Sequence, residues 1–210
     1  MAEIKKRAKQ VKREDRIGET FEGSKGSKWL VVGVSSKANC LIVESELGTI
    51  KVVEWHKRHK VKCVYTPSVF DIGFIGDTQS MLGCGIGNRS YETWKRMIER
   101  CYSGYKQHKS YANAIVCEEW LNFTVFEAWF NDNYIEGFEL DKDLLSGGLK
   151  YYSPETCVFI PTDINTLLQH SGSIHLEDNV RQRLLPHYRE GRLSLEVCRL
   201  IMAEFKSKEI

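Results

Sequence analysis

The densest run of residues able to do chemistry lies between 138 and 168. It begins Phe138-Glu139-Leu140-Asp141-Lys142-Asp143-Leu144-Leu145 and turns at Gly147-Gly148. It continues through Tyr151-Tyr152-Ser153-Pro154-Glu155-Thr156-Cys157-Val158-Phe159-Ile160-Pro161 to Thr162-Asp163-Ile164-Asn165. Asp141 and Asn165 offer oxygen donors of the kind a hard divalent cation such as Mg²⁺ takes. The order strand, loop, strand and helix, with Thr162 as the helix N-cap, lets a strand-end carboxylate meet a helix-borne amide. From the residues alone the plainer reading has the stronger claim: a paired aspartate and a turn or capping asparagine in an α+β core.

The other reactive side chains are scattered. Seven cysteines stand at 40, 63, 84, 101, 117, 157 and 198, with no C-x-x-C pair, which reads as reduced thiols. Gly83-Cys84-Gly85-Ile86-Gly87 lacks the G-x-x-x-x-G-K-[ST] spacing of a phosphate loop, and no strand precedes it. Basic residues gather in two places: the first 16 residues, with Lys5, Lys6 and Arg7, and His56-Lys57-Arg58-His59-Lys60. Lys57, Arg58 and Lys60 in such a loop suit phosphate contacts, since Lys and Arg release condensed counterions there. A merely solubilising loop fits the same residues.

The elements that must position these groups follow from periodicity. Ile17–Gly23, Trp29–Ser35, Asn39–Glu44, Thr49–Glu54 and Lys60–Tyr65 read as short strands of a small antiparallel barrel over residues 17–66. Residues 67–90, with five glycines, read as a linker. Trp94, Met97, Ile98 and Cys101 recur at helical spacing within a helix over 90–103 that Ser90 can cap. A second helix covers 122–133, with Phe123, Phe126, Trp129 and Phe130 facing a core. Two more, near 176–188 and 195–206, form a hairpin around Arg189-Glu190-Gly191-Arg192, the second capped by Ser194; many such hairpins only pack.

Charge divides the chain in the same way. The 210 residues carry a net +2, yet residues 1–66 hold 15 Lys and Arg against 8 acids, and the remainder 15 against 20. The basic front is the end that suits a polyanion. No apolar run approaches the ~20 residues a membrane helix needs, and the start Met1-Ala-Glu-Ile-Lys-Lys-Arg has no apolar core of a secretory signal. The expectation is a cytoplasmic protein that does not enter a membrane.

Taken together, W-K-R-M-I-E-R-C-Y (94–102), V-C-E-E-W-L-N-F (116–123), L-D-K-D-L-L (140–145) and Y-S-P-E-T-C-V-F-I-P-T-D-I-N (152–165) resemble the HNH (His-Me finger) endonucleases carried as homing-type genes by bacteriophages. The similarity spans roughly residues 67–168. R-I-G-E-T-F (16–21) and P-S-V-F-D-I-G-F-I-G (67–76) also resemble the DNA-binding front of such proteins. The resemblance implies an α+β protein with a ββα-metal domain at 91–170. It also implies Mg²⁺ or Mn²⁺ as cofactor, double-stranded DNA as partner, and hydrolysis of a phosphodiester. By position, Asp141 matches the first metal ligand, Asn165 the helix ligand, and Thr156 the place of a structural asparagine.

Lys142 stands where the family has its general-base histidine. An imidazole with pKa about 6.5 accepts a proton at neutral pH, whereas an ordinary lysine at about 10.4 does not. Three arrangements can compensate: Asp143 positions the water or binds metal, His108 reaches the site, or Lys142 neutralises the phosphate. Cys101, Cys117 and Cys157 fall in the best-matching blocks and suit a structural zinc with His108 or Cys84 as fourth ligand; buried thiols explain them equally. Lys5, Lys6, Arg7, Lys57, Arg58, Lys60, Arg181 and Arg183, with Arg189 and Arg192, are the candidate DNA contacts. The rival reading is an inactive DNA-binding regulator, or a host-takeover protein, on a decayed nuclease scaffold.

Overall fold

The computed structural model describes residues 11–77, 89–111, 113–147, 149–170 and 178–206. Lys5, Lys6, Arg7, Cys84 and the Gly83–Gly87 segment lie outside them. The chain divides into two compact units, Met1–Thr66 and Pro67–Ile210.

In the first unit four strands, β1 (Thr20–Glu22), β2 (Lys28–Val34), β3 (Cys40–Ser45) and β4 (Ile50–Glu54), pair antiparallel in sequence order. Alternation turns Trp29, Val31, Leu41 and Val43 to one face, where Val61 and Cys63 cover them. The sheet is open, with β1 and β4 at its edges, instead of the expected closed barrel. The fifth expected strand is missing for a physical reason. Trp55–Lys60 winds into a 3-10 helix, and Val61 then crosses the sheet end, where its carbonyl accepts from the Ser24 N–H at 2.8 Å. Gly23 permits that approach, because a Cβ there would lie 2.7 Å from the Val61 carbonyl oxygen and 2.6 Å from the Trp29 indole nitrogen. The described end of the expected basic arm is also tied down: Arg13 donates to the Ser35 and Lys37 carbonyls at 3.2 Å.

The second unit is built on helices α1 (Arg89–Tyr102) and α2 (Phe123–Asn133), whose aromatic faces interlock. Trp94 packs against Phe123 with the rings tilted by 52° and donates its indole N–H to the Trp120 carbonyl at 2.7 Å. Ser90 lies inside α1 and donates to the Glu127 carboxylate at 3.1 Å, so it ties the helices together. Asn122 caps α2 by accepting from the Thr124 N–H. Residues 67–77, expected as linker, pack on this core instead: Phe74 bridges to Asn122, and Ile75 accepts from Thr124 Oγ1.

Strand β6 (Phe138–Asp141) pairs antiparallel with β8 (Val158–Pro161), which runs directly into α4 (Thr162–His170). Thr162 Oγ1 donates to the Gly137 carbonyl, clasping the far end of the strand pair. The connection between the strands is more than a turn. It contains one helical turn, α3 (Asp143–Ser146), and β7 (Tyr151–Tyr152), which pairs in parallel with β5 (Ile115–Val116). Helices α5 (Asp178–Arg189) and α6 (Leu195–Lys206) close the chain, Ser194 capping the latter by accepting from Val197 N–H. Their apolar faces, Val180, Leu184, Cys198 and Ile201, pack on Leu144, Ile160, Ile164 and Leu168. The hairpin is therefore a buttress for β8 and α4. Among the described residues no helix is long and apolar enough to cross a membrane.

Candidate active site

The alternation of β6 sets Glu139 and Asp141 on one face of the strand, and α4 packs across it. Asn165, on the first turns of α4, donates its amide to Glu139 Oε2 at 2.8 Å and accepts from Gln169 Nε2 at 2.9 Å. Asp141 and Asn165 are both 3% exposed, while Glu139 is open to solvent. Asp141 Oδ2 accepts from the Leu144 N–H at 2.8 Å, so the carboxylate caps α3. Burial pushes its pKa up to about 7, against the pull of the Leu144 and Asp143 N–H groups and of Lys142; the Asp143 carboxylate adds to the rise. A buried carboxylate poised between its two protonation states near neutral pH marks a candidate site.

Lys142 is buried beside it. Its amino group donates to Asp143 Oδ1 and sits 5.7 Å from the centroid of the Tyr111 ring and 5.9 Å from that of Tyr152. Arg100, from the last turn of α1, lies 5.7 Å from the Tyr111 centroid. Burial pulls the Arg100 pKa down, but Tyr152, Tyr111 and Glu139 outweigh it and the net shift is upward. Arg100, Tyr111, Glu139 and Tyr152 were not singled out from the sequence. Arg100 sits in the W-K-R-M-I-E-R-C-Y block, where it reads only as part of the polar helix face.

The sequence-predicted residues separate into those the fold unites and those it disperses. Asp141, Lys142 and Asp143 are contiguous, and Asn165 joins them through Glu139 and the shared strand. His108 is elsewhere: its ring lies 6.3 Å from Tyr105 and 6.4 Å from Tyr111, and Nε2 is 3.8 Å from Glu99. Among the described contacts none joins it to Asp141, Lys142 or Asp143. Thr156 Oγ1 closes a local turn by donating to the Tyr151 carbonyl and accepting from the Ser153 N–H.

Cys101, Cys117 and Cys157 are the residues the sequence offers to a structural zinc, and Cys84, one of the two candidates for the fourth ligand, lies outside the described residues. Among the described residues no three His, Cys, Asp or Glu form a group that could hold a metal ion. Cys101 and Cys157 feel the charge of Lys142, whereas Cys117 feels Glu119 and Glu155. Burial pushes Cys101 and Cys157 up to about 12 and Cys117 to about 11, which keeps all three as thiols.

The candidate DNA contacts differ in how much of their charge is presented. In the first unit Lys57 pairs with Glu54 at 2.9 Å. Arg16 and Arg58 both lie 4.2 Å from the centroid of Trp55, and Lys60 is exposed. In the second unit Arg181 pairs with Asp178 at 3.2 Å, Arg183 with Glu204, and Arg192 with Glu190. Arg189 is exposed. The chain matches no protein-family model, no curated protein and no solved structure.

Proposed function

We propose that this protein is a divalent-metal-dependent endonuclease of the phage HNH, homing-like kind, which binds double-stranded DNA and hydrolyses a phosphodiester. The observation that carries the reading is the β6–β8–α4 unit. It has a buried aspartate at the end of one strand, an antiparallel strand leading straight into a helix, and a helix asparagine tied back to the first strand through Glu139. Asp141 and Glu139 offer carboxylate oxygens, and Asn165 an amide oxygen that Gln169 now holds, a set whose chemistry fits Mg²⁺ or Mn²⁺. A hard cation, when bound, supplies charge neutralisation at the phosphate and the leaving oxygen.

The chain's own residues have separate tasks. Asp141 and Asn165 would hold the cation. To hold it Asp141 would have to be ionised, which burial opposes by pushing its pKa up to about 7. Lys142, ion-paired to Asp143, meets the phosphate, and Asp143 orients the attacking water. Lys57, Arg58 and Lys60, with Lys5, Lys6 and Arg7, grip the duplex backbone, which gives affinity and register without sequence preference.

The test is incubation of supercoiled DNA with the protein in Mg²⁺ or Mn²⁺, comparing wild type with Asp141→Ala and Asn165→Ala. Nicking or linearisation that both variants lose is the expected result. Binding without cutting in either metal refutes it and favours the second reading, a DNA-binding regulator on a nuclease-like scaffold. That reading draws on two features: Lys142 is engaged with Asp143, and both ends of the Asn165 amide are satisfied within the protein.

A further inference from the structure

A row of aromatic rings leads away from Lys142 along the segment 105–111: Phe70 and Tyr111 at its ends rest on the core, and Tyr105 between them stands out of it. Tyr111 lies under Lys142, His108 follows at 6.4 Å between centroids, Tyr105 at a further 6.3 Å, and Phe70 at 6.3 Å beyond it. Tyr105, in the middle of the row, is 49% exposed, an unusual placement for a large ring in a unit whose other aromatics pack inward. The backbone carries strain to hold the outer end of the row. Phe70 and Asp71 both take left-handed conformations, φ 50° and 57°, in the tight turn closed by Val69 and Gly73. For residues with a Cβ such conformations are costly, and they persist where a site needs them.

Positive charge accompanies the rings. Lys106 and Lys109 alternate with them on the same segment and are exposed, while Arg100 and Lys142 face Tyr111. Lys150 fixes the segment by donating to the Ser110 carbonyl at 3.1 Å. Glu99 lies against His108, with Nε2 3.8 Å from its carboxylate. The exposed Tyr105 ring and its half-buried neighbours, interleaved with exposed lysines, match the chemistry of an unpaired nucleobase next to a phosphate. A duplex cannot use them, because its bases are already stacked on one another.

We propose that Phe70, Tyr105, His108 and Tyr111, with Lys106 and Lys109, form a track that binds unpaired nucleotides flanking the phosphate at Lys142. The proposal rests on the nuclease reading for the purpose of the track, and it makes the preferred substrate DNA with a single-stranded stretch beside the cut. Bases stack on Tyr105 and its neighbours while the two lysines follow the backbone.

Binding is measured in EDTA, so that no cutting is involved, by fluorescence anisotropy of the full chain with a labelled oligonucleotide. The probe is presented as single-stranded DNA, as the same sequence in RNA, and as a blunt DNA duplex. Tyr105→Ala should weaken single-strand binding about tenfold and duplex binding less than twofold, while Tyr105→Phe, which keeps the ring, stays within twofold of wild type. The deoxy and ribo probes identify which single strand the track takes; loss with either supports it. Replacing Lys106 and Lys109 by alanine should reduce the salt slope for the single strand by about 0.7 per phosphate contact removed. The proposal is overturned if the wild type does not bind the single strand, if Tyr105→Ala binds it within twofold of wild type, or if single strand and duplex weaken equally. A failure to cut supercoiled DNA leaves these binding results standing, and loss of the track leaves the cutting test standing.

Discussion

Replacing Asp141 by asparagine removes a carboxyl group that the fold holds in an unfavourable place, and the effect on stability depends on pH with a definite sign. Burial raises its pKa from 3.8 to about 7, so between those values the folded protein binds a proton that the unfolded chain has released. Stability from this group is fully present below about pH 4 and is lost as pH rises through about 7. At about 1.36 kcal/mol per pKa unit the full loss is about 4 kcal/mol, with a slope of at most about 1.4 kcal/mol per pH unit. Asparagine cannot ionise, and its side-chain oxygen still accepts from the Leu144 N–H, so α3 keeps its cap. Urea unfolding of both proteins from pH 4 to 8 isolates the group by difference, wild type minus Asp141→Asn. That difference should fall by up to about 4 kcal/mol across the range and then level off. Millimolar Mg²⁺ at pH 7.5 should restore part of it in the wild type only, since a cation bound to the folded state stabilises it by mass action. A difference that stays flat with pH would show that Asp141 is ionised throughout and refute the burial argument.

Other substitutions probe the scaffold and the basic front. Leu184→Ala removes a fully buried side chain where α5 packs on β8 and α4; it should cost 2–5 kcal/mol, read by urea unfolding. Gly76→Ala places a Cβ 2.2 Å from Asn122 Oδ1 at φ +71°, so it adds backbone strain and displaces the cap of α2. A loss of about 2–3 kcal/mol is expected, and a change under about 0.5 kcal/mol would contradict it. Replacing Lys57, Arg58 and Lys60 together should reduce the slope of log K against log salt for duplex DNA by up to about 3, and an unchanged slope removes them from the interface.

Local elements were legible because their signal is local. Trp29 and Val31 alternate on β2, and Trp94, Met97 and Ile98 share one side of α1, since period-2 and period-3.6 patterns are written directly in the chain. The run 60–65 misleads for the same reason. Val61, Cys63 and Tyr65 alternate like a strand, but Val61 meets Ser24 at the end of the sheet and Cys63 meets Ser45 and Thr49, contacts that no local pattern encodes. Residues 67–77 have the glycine content of a linker, yet Gly73 and Gly76 are small because Trp94 and Asn122 come close to them.

The amino-acid sequence by itself determined which groups were available: an aspartate at a strand end, an asparagine early in the following helix, and a basic first third. It also placed a lysine directly after that aspartate. Only the tertiary structure decided their company and their state. Tyr111 and Tyr152 enclose Lys142, Arg100 arrives from a helix some forty residues earlier in the chain, and Glu139 links Asn165 to the strand of Asp141. The reason is that the cost of a charge depends on every atom that displaces water around it, and those atoms come from α1, β6, β7 and α4 together.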